Sequence, residues 1–302
     1  MSVKRRVYIS APRDIRLDPL RRKIKQAIVD EIKGTGYEPQ IFLAPEGGVG
    51  LAAGAGWSLE EVEKVARGCA GAAIIGLPFW KTTLEGREVW LPTDYCPYEA
   101  AVAHTLDLPI LAISIEIEQR GIFDQHARVH AITIPLKEDL SWLQTESFRG
   151  PFATWKRAIE ERRDIFLGYC SSSTDTANTL KGFLISEVGL SVLDWATDFD
   201  PATSILQQIE MASKRCGAGI FLFTKDDELA DGSAKVQAVP RDNVVFEAGY
   251  FSALKGKSRV LIVRESGAKM PADLGGDIYA QLEDRQQIEP IKSVISRFLN
   301  SL

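Results

Sequence analysis

Histidine and cysteine are scarce in this chain: three and four residues among 302. Cys69, Cys96, Cys170 and Cys216 form no C-x-x-C pair and no close spacing, which excludes a disulfide framework, a zinc ribbon and a thioredoxin-type redox motif. They read as reduced, buried thiols of a cytoplasmic protein. His126 and His130 have a metal-like spacing if helical, but "VHAITIPL" reads as a strand, so no metal site is expected. No apolar run approaches membrane-spanning length, and "MSVKRRVYIS" carries basic residues without a signal-peptide core. No membrane association is therefore expected. A strongly basic face is lacking too. Residues 1–163 hold 22 Lys+Arg and 22 Asp+Glu; the remainder holds 14 and 19, which carries the whole net charge of −5. That balance argues against nucleic acid as a partner. The one basic cluster, Lys4 to Lys25, sets nine Lys/Arg against Asp14 and Asp18 and reads as a solvated helix face.

What is present is a repeat. "RRVYISA" is a β-branched and aromatic strand pattern. A helix over 17–33 follows, then a strand near "PQIFLA" and a helix from Ser58, with Ser58 and Glu61 spaced as a capping box. The strand "GAAIIGL", a polar loop, a helix through "PYEAAVAHTL" and the strand "LPILAIS" complete the first half. The second half repeats the order: strand "DIFLGYC", helix 174–187, strand "LSVLDW", helix 201–215, strand "AGIFLFT", a loop, helix 242–255 and strand "RVLIV". "RGCAGAAIIG" parallels "KRCGAGIFLF", and "LPTDYCPYEAAVA" parallels "VPRDNVVFEAGYF". In both of the latter, proline precedes glutamate by seven residues and aspartate precedes it by five. The fold expected is α/β: two tandem flavodoxin-like domains, each a mainly parallel sheet with helices on both faces. The expected domains are 1–160 and 161–302, joined by the charged helix around "TWKRAIEERRD".

One carboxylate stands out, Glu247 in "PRDNVVFEAGYF". A capping box would need Ser, Thr, Asp or Asn three positions earlier, and residue 244 is valine. If Asp242 or Asn243 caps the helix, Glu247 lies beyond the first turn and faces back toward the strand ends. In open α/β sheets that edge binds ligands. Glu99 has a structural explanation at hand: Pro97 suits the first helical position, which puts Glu99 at the third, where acidic residues are common.

Residues 164–285 resemble bacterial TIR domains, especially effectors of cyclic-nucleotide-triggered anti-phage defence, including those linked to STING. The resemblance rests on "DIFLGYCSSS", "LDWATDF", "FLFTKDDEL", "VPRDNVVFEAGYF" and "RVLIVRESGAKMPADLGG". It implies an NAD+-cleaving activity with Glu247 as the catalytic glutamate and Asp273 as a second acidic position supporting the site. By the same resemblance Ser171, Trp195 and Asp198 match segments that line the nucleotide pocket, and Arg241, Asp242 and Asn243 match the signature. NAD+ is then a substrate, no further cofactor is expected, and self-assembly into a homo-oligomer is expected to complete the pocket. The residue types suit this chemistry. Breaking the nicotinamide–ribose bond develops oxocarbenium-like charge that a nearby carboxylate stabilises, and nicotinamide leaves neutral without a general acid.

The first half is similar to the same superfamily more loosely, and "RVYISAP" with "LPTDYCPYEAAVAHTLDLPILAI" also resembles nucleoside 2-deoxyribosyltransferases. Its signature departs from the family pattern, reading P-T-D-Y-C-P-Y-E around Asp94 and Glu99, so a nucleotide-sensing or oligomerising role is expected there, with Glu99 and Asp94 as a second candidate site. "GGVGLAAGAG" (47–56) does not read as a dinucleotide loop, because Pro45 and Glu46 interrupt the strand and the helix starts only at Ser58. Trp80, Trp90, Tyr95 and Tyr98 fall in the long loop region, where aromatics pack locally or stack on a base. Three functions stay open: an NAD+-degrading effector responding to a nucleotide signal, a non-catalytic nucleotide-binding scaffold, and a deoxyribosyltransferase-like enzyme using Glu99.

Overall fold

The computed structural model describes residues 5–41, 58–124, 126–127, 129–199, 202–230, 236–274 and 279–302. The glycine-rich stretch 47–56 lies outside the described residues. The chain divides into two compact units, Lys4–Glu161 and Arg162–Leu302.

In the first unit the strands are β1 (Arg6–Ser10), β2 (Glu38–Ile41), β3 (Gly71–Gly76), β4 (Trp80–Leu84), β5 (Arg87–Leu91), β6 (Ile110–Ile115) and β7 (His130–Ile134). The helices are α1 (Pro19–Gly34), α2 (Leu59–Arg67), α3 (Tyr95–Thr105) and α4 (Glu146–Glu160). Five strands form one sheet in the order β2-β1-β3-β6-β7, every pair parallel. Strand alternation splits the core in two. Val7, Ile9, Ala73, Ile75, Leu111 and Ile113 pack with α1 and α4, while Tyr8, Ala72, Ile74 and Ala112 pack with α2 and α3. Both strand faces are covered, so β3 and β6 are buried along their whole length, as a parallel sheet requires.

The second unit repeats this plan with β8 (Arg163–Gly168), β9 (Val192–Asp194), β10 (Cys216–Phe223), β11 (Asp227–Ala230), β12 (Val236–Val239), β13 (Val260–Glu265) and β14 (Tyr279–Leu282). Its helices are α5 (Thr174–Gly182), α6 (Trp195–Asp198), α7 (Ile205–Arg215), α8 (Asp242–Lys255) and α9 (Lys292–Ser301). The sheet order is β14-β13-β10-β8-β9. Counted from the first strand of each unit, both sheets run 2-1-3-4-5, the flavodoxin-like order, whose ligand crevice lies outside the carboxyl ends of the first and third strands. Phe166, Phe221 and Phe251 pack together between β8, β10 and α8, with the Phe166 and Phe251 rings stacked 4.9 Å apart. Among the described residues no helix is long and apolar enough to cross a membrane.

The structure corrects several local expectations. The "polar loop" after β3 is an antiparallel hairpin, β4 paired with β5, so Trp80 and Trp90 sit on strands. Its turn is Glu85–Gly86, both at positive φ, the two-residue geometry that matches strand twist. A second hairpin, β11 with β12, fills the loop before α8. The helix over 201–215 starts only at Ile205, where Ser204 caps it by accepting from the Gln207 N–H. The helix over 174–187 ends regular winding at Gly182 and continues to Val188 as a wider turn. Finally, "TWKRAIE" ends α4, the closing helix of the first unit, and Arg163–Asp164 of the same stretch already belong to β8. Trp155 and Ile159 are fully buried there, and the Trp155 indole N–H donates to the Pro109 carbonyl at 3.0 Å.

Trp155 therefore fastens α4 to the sheet. Truncating Trp155→Ala should destabilise the protein by about 3–5 kcal/mol, read as a lower urea midpoint, whereas Trp155→Phe, which keeps the ring, should lose markedly less.

Candidate active site

Glu247 lies six residues into α8, whose N-terminal cap is Arg241 and whose first residue is Asp242. It is well past the first turn, and its role cannot be to cap. The residue is 8% exposed, and its carboxyl sits at the end of β8, against Gly168. A Cβ at position 168 would meet Phe221 Cδ1 at 2.4 Å and Glu247 Oε2 at 2.9 Å. Only glycine leaves room for the carboxylate here.

Glu247 Oε2 has no hydrogen-bond partner among the described residues. Burial pushes its carboxyl up from the ordinary 4.5 to about 7. A buried, unsatisfied carboxyl is destabilising, which makes this group a candidate for ligand binding. It lines a cavity of about 310 Å³ at the carboxyl edge of the sheet, walled by the segments after β8 and β9 and by the starts of α7 and α8. Of the residues the sequence singled out, Ser171, Trp195, Arg241, Asn243 and Glu247 line this cavity together. The Trp195 indole nitrogen is also buried and has no hydrogen-bond partner among the described residues.

Two of the singled-out residues lie elsewhere. Asp198 Oδ2 accepts from the Asp194 N–H at 2.8 Å, closing the short helix α6. Asp242 turns to the other side of α8, into a neighbouring cavity of about 760 Å³ lined also by Pro240, Phe246 and Lys269. The side chain of Asp273 lies outside the described residues. In the first unit, Glu99 and Asp94 line a separate cavity. The helix start expected at Pro97 is displaced: α3 begins at Tyr95, which carries Glu99 beyond the first turn and leaves it 6% exposed. The dipole explanation for Glu99 therefore fails.

Sequence reasoning missed the groups that hold the walls. Asp194, at the end of β9, accepts from the Tyr169 hydroxyl at 2.8 Å, the Lys181 ammonium at 2.9 Å and the Ala196 N–H at 3.1 Å. Burial alone would raise its carboxyl; these partners outweigh burial and hold it below the usual range. The Tyr169 and Trp195 rings, 5.4 Å apart, are thereby fixed as one aromatic wall. Asp226 ties the other walls together. It accepts from Ser172 Oγ at 2.6 Å, Thr224 Oγ1 at 2.8 Å and the Arg241 N–H at 3.3 Å, so the loop after β8 and the start of α8 share one anchor. Cys170, on the cavity wall, resists the upward push of burial because Ser172 and Arg241 hydrogen-bond it, and its thiol is held below its ordinary range. The sequence signal for Asp194 or Asp226 was an aspartate near the carboxyl end of a strand, too common to single out.

The two units differ at the corresponding positions. Tyr8 pairs with Ala72 and Phe166 with Gly219, so the repeat "RGCAGAAIIG"/"KRCGAGIFLF" makes Tyr8 equivalent to Phe166 and Ser10 to Gly168. Glu99 thus lies beside a phenol, whose ionisation burial and the Glu99 charge both suppress. Glu247 faces a phenylalanine and an empty Gly168 position instead.

Residues 164–284 match the family model described as CAP12/Pycsar effector protein, TIR domain. The chain is 33% identical over 103 residues to the uncharacterized protein YuaY of Escherichia coli (strain K12), covering 33% of this chain and 34% of that protein. It is 48% identical over 65 residues to CD-NTase-associated protein 12 of Flavobacterium daejeonense, covering 22% and 21%. It is 28% identical over 130 residues to the Pycsar effector protein BcPycTIR of Burkholderia cepacia, covering 42% of each. The matched segments span less than half the length of these relatives.

A carboxyl whose folded value lies near 7 has a distinct stability signature. Below about pH 4.5 it is protonated in both folded and unfolded chains; as pH rises through 7 the folded state must carry a buried charge. Relative to Glu247→Gln, the wild type should lose on the order of 3 kcal/mol of stability between pH 4.5 and 8, measured by urea unfolding. A difference that stays flat with pH would show that the carboxyl is solvated.

Proposed function

Because residues 164–284 carry a TIR domain of the CAP12/Pycsar effector type, we propose that this unit cleaves NAD+ at the nicotinamide–ribose bond, with Glu247 as the catalytic residue. The observation that carries this reading is the buried Glu247 carboxyl over Gly168, beside the cavity at the sheet's carboxyl edge, whose Oε2 has no partner among the described residues. The biological setting proposed is bacterial anti-phage defence in the cytoplasm, with depletion of NAD+ triggered by a nucleotide signal or by self-assembly into a homo-oligomer.

The reaction asks for few groups, and the cavity supplies them. The Tyr169–Trp195 wall offers a face for a flat ring, and the Trp195 N–H a donor with no protein partner. Arg241, at the mouth and exposed, suits a phosphate. Glu247 then lies beside the ribose. As the glycosidic bond breaks, its electron pair leaves with nicotinamide, which departs neutral, and positive charge develops on the sugar. The Glu247 carboxylate, in a site of low dielectric, stabilises that charge. Water attacks the ribose and releases a proton, giving ADP-ribose. The cationic nicotinamide ring of the bound substrate favours the ionised carboxylate, offsetting the burial that otherwise keeps it partly protonated.

The test is nicotinamide release from NAD+ by the purified protein, with and without cyclic nucleotides. Glu247→Ala and Glu247→Gln should each lower the rate by about 10²-fold or more. Wild-type kcat/KM should rise with pH through a limb near 7, the value set for the free enzyme's carboxyl. Equal release by wild type and Glu247→Ala under activating conditions sinks the reading.

A further inference from the structure

A charged cluster with no part in the reaction above lies along the carboxyl edge of the second sheet. At its centre is Arg285, three residues beyond the end of β14. Its guanidinium makes one hydrogen bond to each of three other strand ends. Nε donates to Glu265 Oε2, the last residue of β13, at 2.8 Å. Nη2 donates to the Lys225 carbonyl, just after β10, at 3.0 Å, and Nη1 to the Ser172 carbonyl, after β8, at 3.4 Å. In the sheet β14, β13, β10 and β8 are successive neighbours, so one side chain ties the ends of four adjacent strands.

Electrostatics calls for a cation here. The Asp226 side chain is fully buried, and its oxygens accept from neutral groups of Ser172, Thr224 and Arg241. The cation within 4 Å of it, among the described residues, is Arg285 Nη2 at 3.9 Å. Burial would raise the Glu265 carboxyl as well, but the Lys225 N–H and ammonium and the Arg285 guanidinium outweigh it and hold the carboxyl below the usual range. An ammonium could balance this charge. Only a planar fork can balance it and also donate to two separate carbonyls. What the fork holds is the wall of the cavity. Cys170 and Ser171 line the cavity on the loop that Arg285 grips at Ser172. Arg241 and Asn243 line it at the start of α8, which Asp226 anchors through the Arg241 N–H. Glu247 is placed by other contacts, since the Phe251 ring packs α8 onto Phe166 and Phe221.

We propose that Arg285 is a positioning residue of this site: it fixes the Cys170–Ser172 loop and the start of α8 in the arrangement that binds substrate. It is not itself among the residues that line the cavity. Losing it loosens the binding wall and leaves Glu247 in place. The kinetic consequence rests on the NAD+ cleavage proposed above; the consequence for the loop does not.

Two readouts on the full chain test it, in wild type, Arg285→Ala and Arg285→Lys. The first is alkylation by iodoacetamide, resolved cysteine by cysteine with peptide mass spectrometry. Cys170 stands on the gripped loop, while Cys216 is fully buried in the core of the same unit and reports general unfolding. Arg285→Ala should speed Cys170 labelling by about tenfold, the loss of one or two charge-assisted hydrogen bonds, with Cys216 unchanged. Arg285→Lys, which keeps the charge without the fork, should give a smaller rise. Unchanged Cys170 labelling overturns the proposal. So does a parallel rise at Cys170 and Cys216, which marks lost stability rather than a released loop. The second readout is nicotinamide release. Arg285→Ala should raise KM for NAD+ by about tenfold or more while kcat stays within about threefold. A fall in kcat at unchanged KM overturns the positioning role. If the wild type releases no nicotinamide under activating conditions, the NAD+ reading fails, and cysteine labelling alone decides what Arg285 holds.

Discussion

The placement of one carboxylate, Glu247 over Gly168, with Oε2 lacking a partner among the described residues, is the constraint on which the second unit depends. A carboxyl in a low-dielectric pocket raises the free energy of the folded state whenever it is ionised. The surrounding structure offsets that by rigidity. The Phe166 and Phe251 rings stack and Phe221 packs tilted and edge-on against them, which fixes α8 against β8 and β10. Asp194 and Asp226, each satisfied by several donors, hold the loops that would otherwise collapse onto it. Saturated carboxylates frame an unsaturated one.

The duplicated frame shows how little is needed to change the outcome. Both sheets run in the same order, both keep a glutamate on the helix that follows the third strand, and both open a cavity at the same edge. Two positions on the first strand divide them. Phe166 and Gly168 isolate Glu247, while Tyr8 stands beside Glu99 and Ser10 takes the place of Gly168. Isolation raises the Glu247 carboxyl toward neutrality, whereas Glu99 lies beside the Tyr8 phenol. The contrast supports different roles for the two halves.

Much of this was legible in the chain. The fully apolar runs "GAAIIG" and "GIFLF" announced buried parallel strands, and the shared Pro-x-Asp spacing before each glutamate announced the repeat. Valine at 244 removed the capping explanation for Glu247. The hairpins were less legible, because "WKTTLEGREVW" is too polar for the hydrophobic-run signal, though its Glu-Gly turn was available. The helix start at Tyr95 was hidden by Pro97, which sits inside the first turn rather than at its first position.

By itself the sequence determined the alternation of strands and helices, the duplication and the one suspect glutamate, since periodicity and local spacing are properties of neighbours along the chain. Only the tertiary structure decided that Ser171, Trp195, Arg241, Asn243 and Glu247 meet at one cavity, that Asp198 and Asp242 turn away from it, and that Asp194 and Asp226 hold its walls. Desolvation and hydrogen-bond satisfaction depend on what surrounds a group in space, and here those surroundings come from strands and helices far apart in sequence.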